Sequence, residues 1–183
     1  MCLGVVLVAH ALGQDKPRFV RDVKPFPKQP IRILSKSAGN KPLSSDGEFM
    51  AGKDWVKDFT LEFENTSNKN ITRVYITLEM EATGRMREPL LMPLIYMADK
   101  DDNPAVRGKG VLVPGQSTTV SAVYYKNALL KLQAFGVTDV PNARMSVRSV
   151  DFDDDTRWYL GVENKRDPSN PEKWIIEKMI KYP

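Results

Sequence analysis

The sequence predicts an all-β fold: an immunoglobulin-like antiparallel β-sandwich with a short crossover helix and a C-terminal helix. Apolar residues alternate with polar ones in several short segments, and clusters of turn-forming residues separate these segments. About seven such strands over roughly 110 residues are typical of this kind of sandwich. The chain has 183 residues, of which 42% are hydrophobic and 27% charged, so it can bury one substantial core.

The alternation is clearest in two segments that flank the turn-rich stretch 65–70. The apolar positions are Phe59, Leu61 and Phe63, followed by Val74, Ile76, Leu78 and Met80. We predict that the two segments pair as an antiparallel hairpin. Further strands are predicted at 94–97, 118–125, 144–152 and 157–162, with Trp158 facing inward. Apolar residues recur at every third position in 127–135, which predicts the short crossover helix.

The last part of the chain, 163–183, is predicted to be an extension with one helix over 171–181. Ser169 or Asn170 can cap this helix, Pro171 suits its first turn, and Glu172 complements its dipole. A helix this short needs a docking surface, because isolated helices below about 12 to 15 residues are marginal in water. The sandwich itself is the preferred surface, and a partner protein is the alternative. Four residues would make the docking contacts: Trp174, Ile175, Met179 and Ile180.

The first 13 residues predict a signal peptide. The apolar run 3–9 is followed by Ala11, Leu12 and Gly13, which fit a signal peptidase site. The run is short and lacks basic residues before it, so we expect a truncated leader; a buried strand over 3–12 is the alternative. The run is too short for a transmembrane span. The predicted localisation is therefore exported, either periplasmic or secreted.

Export would also limit the chemistry open to the protein. Cys2 and His10 are its only cysteine and histidine, and both lie in the predicted leader. The mature chain would then have no thiol or imidazole catalysis, no disulfide, and no zinc site made from Cys or His. These absences predict a protein that is not an enzyme.

Residues 14–50 predict a basic, proline-rich arm with one strand at 31–34, ahead of the sandwich at 51–162. The stretch 15–45 has eight basic and two acidic residues, although the whole chain carries a net charge of only +4. Lys24, Lys28 and Arg32 are the candidates for contact with a protein or an anionic envelope component. The alternative is a solvated arm that only aids solubility. No nucleic acid partner is expected.

Four segments carry a resemblance to a known group of proteins: 59–67, 71–78, 113–117 and 150–158. They resemble the uncharacterised exported bacterial proteins with an immunoglobulin-like β-sandwich domain, over about residues 50 to 162. The resemblance implies a fold and no activity. The last hairpin of such proteins often has the sequence Asp-Gly-Thr. Here Asp155 takes the glycine's place, so it must adopt a positive φ or the turn must shift.

Two further sets of residues suggest ligands. Tyr75, Tyr124 and Tyr125 could form a sugar-stacking platform, since adjacent tyrosines in a strand cannot both face the core. Asp153, Asp154 and Asp155 could hold calcium, but hairpin turns also favour aspartate for its local hydrogen bonds. No other cofactor is expected.

The function we expect is a non-catalytic, exported β-sandwich module that binds a protein or cell-envelope component through its basic arm and its tail. The alternative is a carbohydrate-binding module with an aromatic platform, assisted by calcium. An enzyme that uses only carboxylates is a third hypothesis.

Overall fold

The computed structural model describes residues 15–44, 47–81, 86–98, 107–108 and 110–179, with only the backbone at 107–108 and 179. More than half of these residues lie in strands. In chain order the elements are β1 (Lys16–Asp22), β2 (Ile31–Ala38), β3 (Lys41–Pro42), β4 (Glu48–Ala51), a 3-10 turn (Trp55–Asp58), β5 (Phe59–Asn65), β6 (Ile71–Met80), β7 (Leu90–Ala98), β8 (Arg107–Gly108), β9 (Ser117–Ser121), α1 (Tyr125–Ala134), β10 (Asn142–Phe152), β11 (Thr156–Tyr159), β12 (Val162–Asp167) and β13 (Asn170–Met179). The predicted signal peptide, 1–13, lies outside the described residues.

The strands form two sheets. Sheet A has the order β13-β12-β11-β10-β6-β7-β8, and β1 joins it by pairing in parallel with β10 and antiparallel with β4. Sheet B has the order β3-β2-β5-β9, and all its pairs are antiparallel. The two sheets enclose one hydrophobic core. The prediction of an all-β sandwich is confirmed at this level.

The core is built from the alternating residues that the sequence pattern identified. Phe59, Leu61 and Phe63 of β5 are fully buried, as are the apolar residues of β6. Phe63 contacts the ring of Tyr96 in β7 edge to face, with 6.2 Å between ring centroids, and so joins the two sheets. Trp158 is buried, as predicted. The crossover helix is also confirmed, because α1 carries the chain from β9 in sheet B to β10 in sheet A.

The predicted hairpin between 59–64 and 74–80 is wrong. Both segments are strands, but β5 lies in sheet B and β6 in sheet A, so they face each other across the core. The buried side chain of Asn65 fixes this crossing, since its Nδ2 donates to the carbonyls of Lys69 and Leu112, both at 2.8 Å. Alternation reports which face of a strand is buried and does not identify its pairing partner.

The predicted C-terminal helix is also wrong, because residues 170–179 form β13, an antiparallel partner of β12. The residues expected to cap a helix instead build a hairpin turn. Asp167 Oδ1 accepts hydrogen bonds from the backbone and hydroxyl of Ser169, and Asn170 Oδ1 accepts from the amide of Glu172 at 3.2 Å. A side-chain oxygen that accepts a hydrogen bond from the amide two residues ahead occurs in turns as well as at helix N-termini.

The basic segment 14–50 contains four strands, β1 to β4, where one was predicted. These strands pair with the rest of the sandwich, and Arg18 at the middle of β1 is 1% exposed. Its guanidinium donates to the carbonyls of Ala51 and Val140 and to the carboxylate of Asp139. Pro17 begins β1 at an edge where its missing N–H is tolerated.

Candidate functional site

A long open groove runs along one side of the sandwich, between β2 of sheet B and the β1–β10 part of sheet A. Its volume is about 530 Å³. Ile31, Ile33, Met145 and Val147 give it an apolar floor, and the connection 23–30 between β1 and β2 forms one wall. Lys28 and Arg32, two of the predicted binding residues, line this groove. Lys24 lies in the connection that forms its wall.

The wall of the groove is fixed to the core rather than free in solvent. The ring of Phe26 contacts Trp158 edge to face, with 6.2 Å between centroids. The indole Nε1 of Trp158 donates to the carbonyl of Pro27 at 3.2 Å. Lys28 has a φ of 52°, in the left-handed region, and this tight turn brings the chain back to β2. The groove is therefore preformed.

On the side of the groove, no strand of the described residues pairs with the first part of β2, 31–33. The backbone N–H of Asn65 donates to the carbonyl of Gln116, and the backbone carbonyl of Asn65 accepts from the amide of Gly115. Both groups therefore point to the β9 side of β5. Main-chain groups alternate in direction along a strand, so Ile31 and Ile33, opposite Asn65 and Phe63, direct theirs away from β5. The carbonyl of Ile31 accepts from Gln29 Nε2 at 3.0 Å. Because β3 pairs only with Ser37 and Ala38, Ile33 lies on an edge that no other described strand covers.

Some of the basic side chains around the groove form ion pairs and others do not. Arg32 pairs with Glu64, and Lys36 pairs with Asp22 at 2.9 Å. Lys24 and Lys28 have no ion-pair partner among the described residues, and both are exposed. The rim of the groove is therefore positive, with an apolar floor beneath it.

Three of the predicted tail residues, Trp174, Ile175 and Met179, lie on β13 at one edge of sheet A. The ring centroid of Trp174 lies 3.9 Å from the guanidinium carbon of Arg157 and 4.8 Å from that of Arg166, so the indole makes a cation–π contact with each. Ile175 is 46% exposed, and Ile176, which the helix prediction did not select, is 64% exposed. The side chain of Met179 and the whole of Ile180 lie outside the described residues.

The acidic turn between β10 and β11 spreads its carboxylates over separate partners. Asp153 accepts from Asn70 at 2.8 Å, Asp154 pairs with Lys69 at 2.7 Å, and Asp155 pairs with Arg166 at 3.0 Å. Although burial raises the pKa of Asp154, hydrogen bonds from Lys69 and Thr156 outweigh it and lower that pKa below 3.8. Within the part of the chain that is described, no three acidic, His or Cys side chains are grouped to hold a metal.

The three tyrosines considered as a sugar platform lie in different surroundings. Tyr75 is in β6, Tyr124 precedes α1, and Tyr125 is the first residue of that helix instead of part of the predicted strand. Tyr125 donates to Asp54 at 3.3 Å, and burial together with Asp54 and Asp58 raises its pKa. No ring contact among the described residues joins these three tyrosines.

Comparisons of the chain with models of protein families, with characterised proteins and with solved structures found no match. Among the helices of the described segments, none has the length and apolar character to cross a membrane.

Proposed function

We propose that this protein is a non-catalytic, exported binding module that holds an extended segment of a partner protein in the groove. The observation that carries the proposal is the free edge of β2 at Ile33, beside an apolar floor. An extended segment that adds to a sheet edge gains main-chain hydrogen bonds, and its alternate side chains enter adjacent pockets.

The chemistry of the groove favours a particular kind of segment. Side chains on one face of the added strand would contact Met145 and Val147, so they are expected to be apolar. Side chains near the rim would meet Lys24 and Lys28, which have no ion-pair partner among the described residues. A segment that alternates apolar and acidic residues satisfies both conditions.

The proposal is tested with fluorescent peptides of about eight residues, enough to span a strand of typical length. One peptide alternates valine and glutamate, a second alternates valine and lysine, and a third is the first with N-methylated amides along one edge. We expect saturable binding of the first peptide, with affinity reduced about tenfold for the lysine version and for the N-methylated version. Equal binding of the N-methylated peptide would refute strand addition.

Protein variants test the same site from the other side. The double variant Lys24→Glu/Lys28→Glu should bind the valine–glutamate peptide with about tenfold lower affinity, because two attractive charges become repulsive. The matched control is Lys57→Glu/Lys126→Glu, which makes the same charge change at two exposed positions away from the groove. If the control weakens binding as much, only the net charge of the protein matters and the groove is not the site.

A further inference from the structure

We propose that the protein forms a two-fold symmetric dimer in which β13 of one chain pairs with β13 of a second copy. The two strands would run antiparallel about an axis through Ile175, and sheet A would continue from one chain into the other. This proposal uses the β13 edge and does not depend on the groove or its ligand.

The first observation is that β13 is a terminal strand of sheet A and that, among the described residues, it pairs only with β12. Edge strands of native proteins are usually protected by charges, prolines or bulges, because their unpaired main chain can recruit another strand. Here Pro171 and two register shifts, over 171–173 and at Glu177, interrupt the pairing of β13 on either side of its centre. The centre is regular, with Trp174, Ile175 and Ile176 opposite Arg166, Lys165 and Asn164.

The second observation is the apolar character of that unprotected centre. Ile175 and Ile176 point to opposite faces of the strand, and both are substantially exposed. Trp174 is held against its own sheet by Arg157 and Arg166, so the strand is ordered before any partner arrives. Ordering before association lowers the entropic cost of binding.

The third observation is the order of charges along β13, which identifies the occupant as a second copy. Main-chain groups alternate between the two edges of a strand, so an antiparallel pair of identical strands has its axis at a residue. With the axis at Ile175, Glu172 lies opposite Lys178, Lys173 lies opposite Glu177, and Trp174 lies opposite Ile176. Every charged residue then meets its opposite sign, and the symmetry gives four such pairs.

Neighbouring positions of the axis lose this complementarity. With the axis at Trp174, Lys173 and Glu172 would lie opposite Ile175 and Ile176. With the axis at Ile176, Ile175 would lie opposite Glu177, and Trp174 opposite Lys178. Cross-strand pairs of opposite charge stabilise a sheet and mismatched ones do not, so the sequence favours the register at Ile175.

The main-chain contact is short, because the register shifts confine regular geometry to the central residues. The charged residues on either side have long side chains that reach across the remaining gap. An interface of this size falls below the usual 1,200–2,000 Å² of stable complexes, and we therefore expect a dissociation constant of about 10 to 100 μM.

Analytical ultracentrifugation of the full chain over about 1 to 500 μM tests the dimer across this range. We expect a reversible monomer–dimer equilibrium for the wild type. Lys173→Glu should raise the dissociation constant about tenfold, because two attractive pairs become repulsive. Lys126→Glu, which makes the same charge change on an exposed residue of α1, should leave the constant within about twofold.

Mixing variants provides the decisive measurement. Lys173→Glu places like charges across its own dimer, and so does Glu177→Lys. In a mixed dimer of the two, each glutamate faces a lysine. An equimolar mixture should therefore dimerise about as strongly as the wild type, although each variant alone dimerises about tenfold more weakly. This rescue also shows that both variants are folded.

Three results would overturn the proposal. One is a wild type that stays monomeric at every concentration tested. Another is a dimer that Lys173→Glu does not weaken, which would place the interface elsewhere. The last is a mixture of the two variants that associates no better than either variant alone.

Discussion

The guanidinium of Arg18 is buried and donates to the carboxylate of Asp139, which lies 121 positions later in the sequence. Arg18 also donates to the carbonyl of Val140, the same oxygen that accepts the indole N–H of Trp55 at 2.7 Å. These bonds attach β1 to the chain that leads into β10.

We expect Arg18→Met to lower the free energy of unfolding by about 3 kcal/mol, because it removes one donor from each of two buried carbonyls and breaks a partly buried ion pair. Chemical denaturation measures the loss. The control is Lys16→Met on the same strand, whose exposed ammonium lies 3.9 Å from the same carboxylate and should contribute less than about 1 kcal/mol. Equal losses for the two variants would contradict the structural role of Arg18.

The features of the fold that could be predicted from the sequence are those that the local pattern of residues determines. The alternation of Phe59, Leu61 and Phe63 identified a strand with one buried face, and the structure places all three in the core. Asp155 was expected to adopt a positive φ or to shift the turn, and its φ is 60°. Both features depend on residues close together in the chain.

Pairing partners and the tail could not be predicted in the same way. A strand and a short helix share the apolar spacing of Trp174, Ile175 and Met179, and Asn170 can serve either a helix cap or a hairpin turn. The choice is made by β12, which pairs with six residues of β13. Such tertiary pairing overrides local propensity.

The sequence analysis identified the basic residues at the rim of the groove but not the apolar residues of its floor. Charge identified Lys28 and Arg32, but Met145 and Val147 lie more than 100 residues away and looked like ordinary core residues of a strand. They meet because β1 pairs in parallel with β10, a register that nothing near either segment specifies. Sequence could supply the rim of the site and not its floor.

The lowered pKa of Asp154 predicts a stability contribution that depends on pH. A carboxylate whose folded pKa lies below its unfolded value of about 3.8 stabilises the fold above that value, and the contribution is lost as the pH falls through the folded pKa. The difference in stability between wild type and Asp154→Asn should therefore be largest near neutral pH and shrink below about pH 4. Urea denaturation from pH 2 to pH 7 measures it.

A variant of Lys69 provides the control for that experiment, because Lys69 pairs with Asp154. Its ammonium lies 2.7 Å from Asp154 and is one cause of the lowered pKa. In a Lys69→Met background, the effect of Asp154→Asn should be smaller and less dependent on pH. An unchanged effect would mean that Thr156 alone stabilises the carboxylate.

The cation–π contacts of the Trp174 ring with Arg157 and Arg166 predict a stabilising role for this side chain. Trp174→Ala should lower the free energy of unfolding by about 1 to 2 kcal/mol, and Trp174→Phe by less, because a smaller ring still faces both cations. The more exposed Ile176→Ala should change stability by less than about 0.5 kcal/mol. Thermal melts at about 1 μM keep the proposed dimer dissociated. A melt of Trp174→Ala that matches the wild type would show that the stacking contributes nothing.

The hairpin between β11 and β12 contains a strained residue, and relieving that strain should stabilise the protein. Tyr159 pairs with Val162, so Leu160 and Gly161 form a two-residue turn, with φ values of 48° and 83°. Such turns favour Asn-Gly, because a left-handed conformation costs other residues about 1 to 2 kcal/mol.

The comparison that isolates this strain is between Leu160→Asn and Leu160→Ala. Both variants remove the half-buried leucine side chain, but only asparagine tolerates the left-handed conformation through local hydrogen bonds. We expect the free energy of unfolding of Leu160→Asn to exceed that of Leu160→Ala by about 0.5 to 1 kcal/mol. Urea denaturation of both variants under the same conditions measures the difference. Equal stabilities would mean that the turn imposes no strain on residue 160, and that its left-handed geometry is set entirely by the pairing of the two strands.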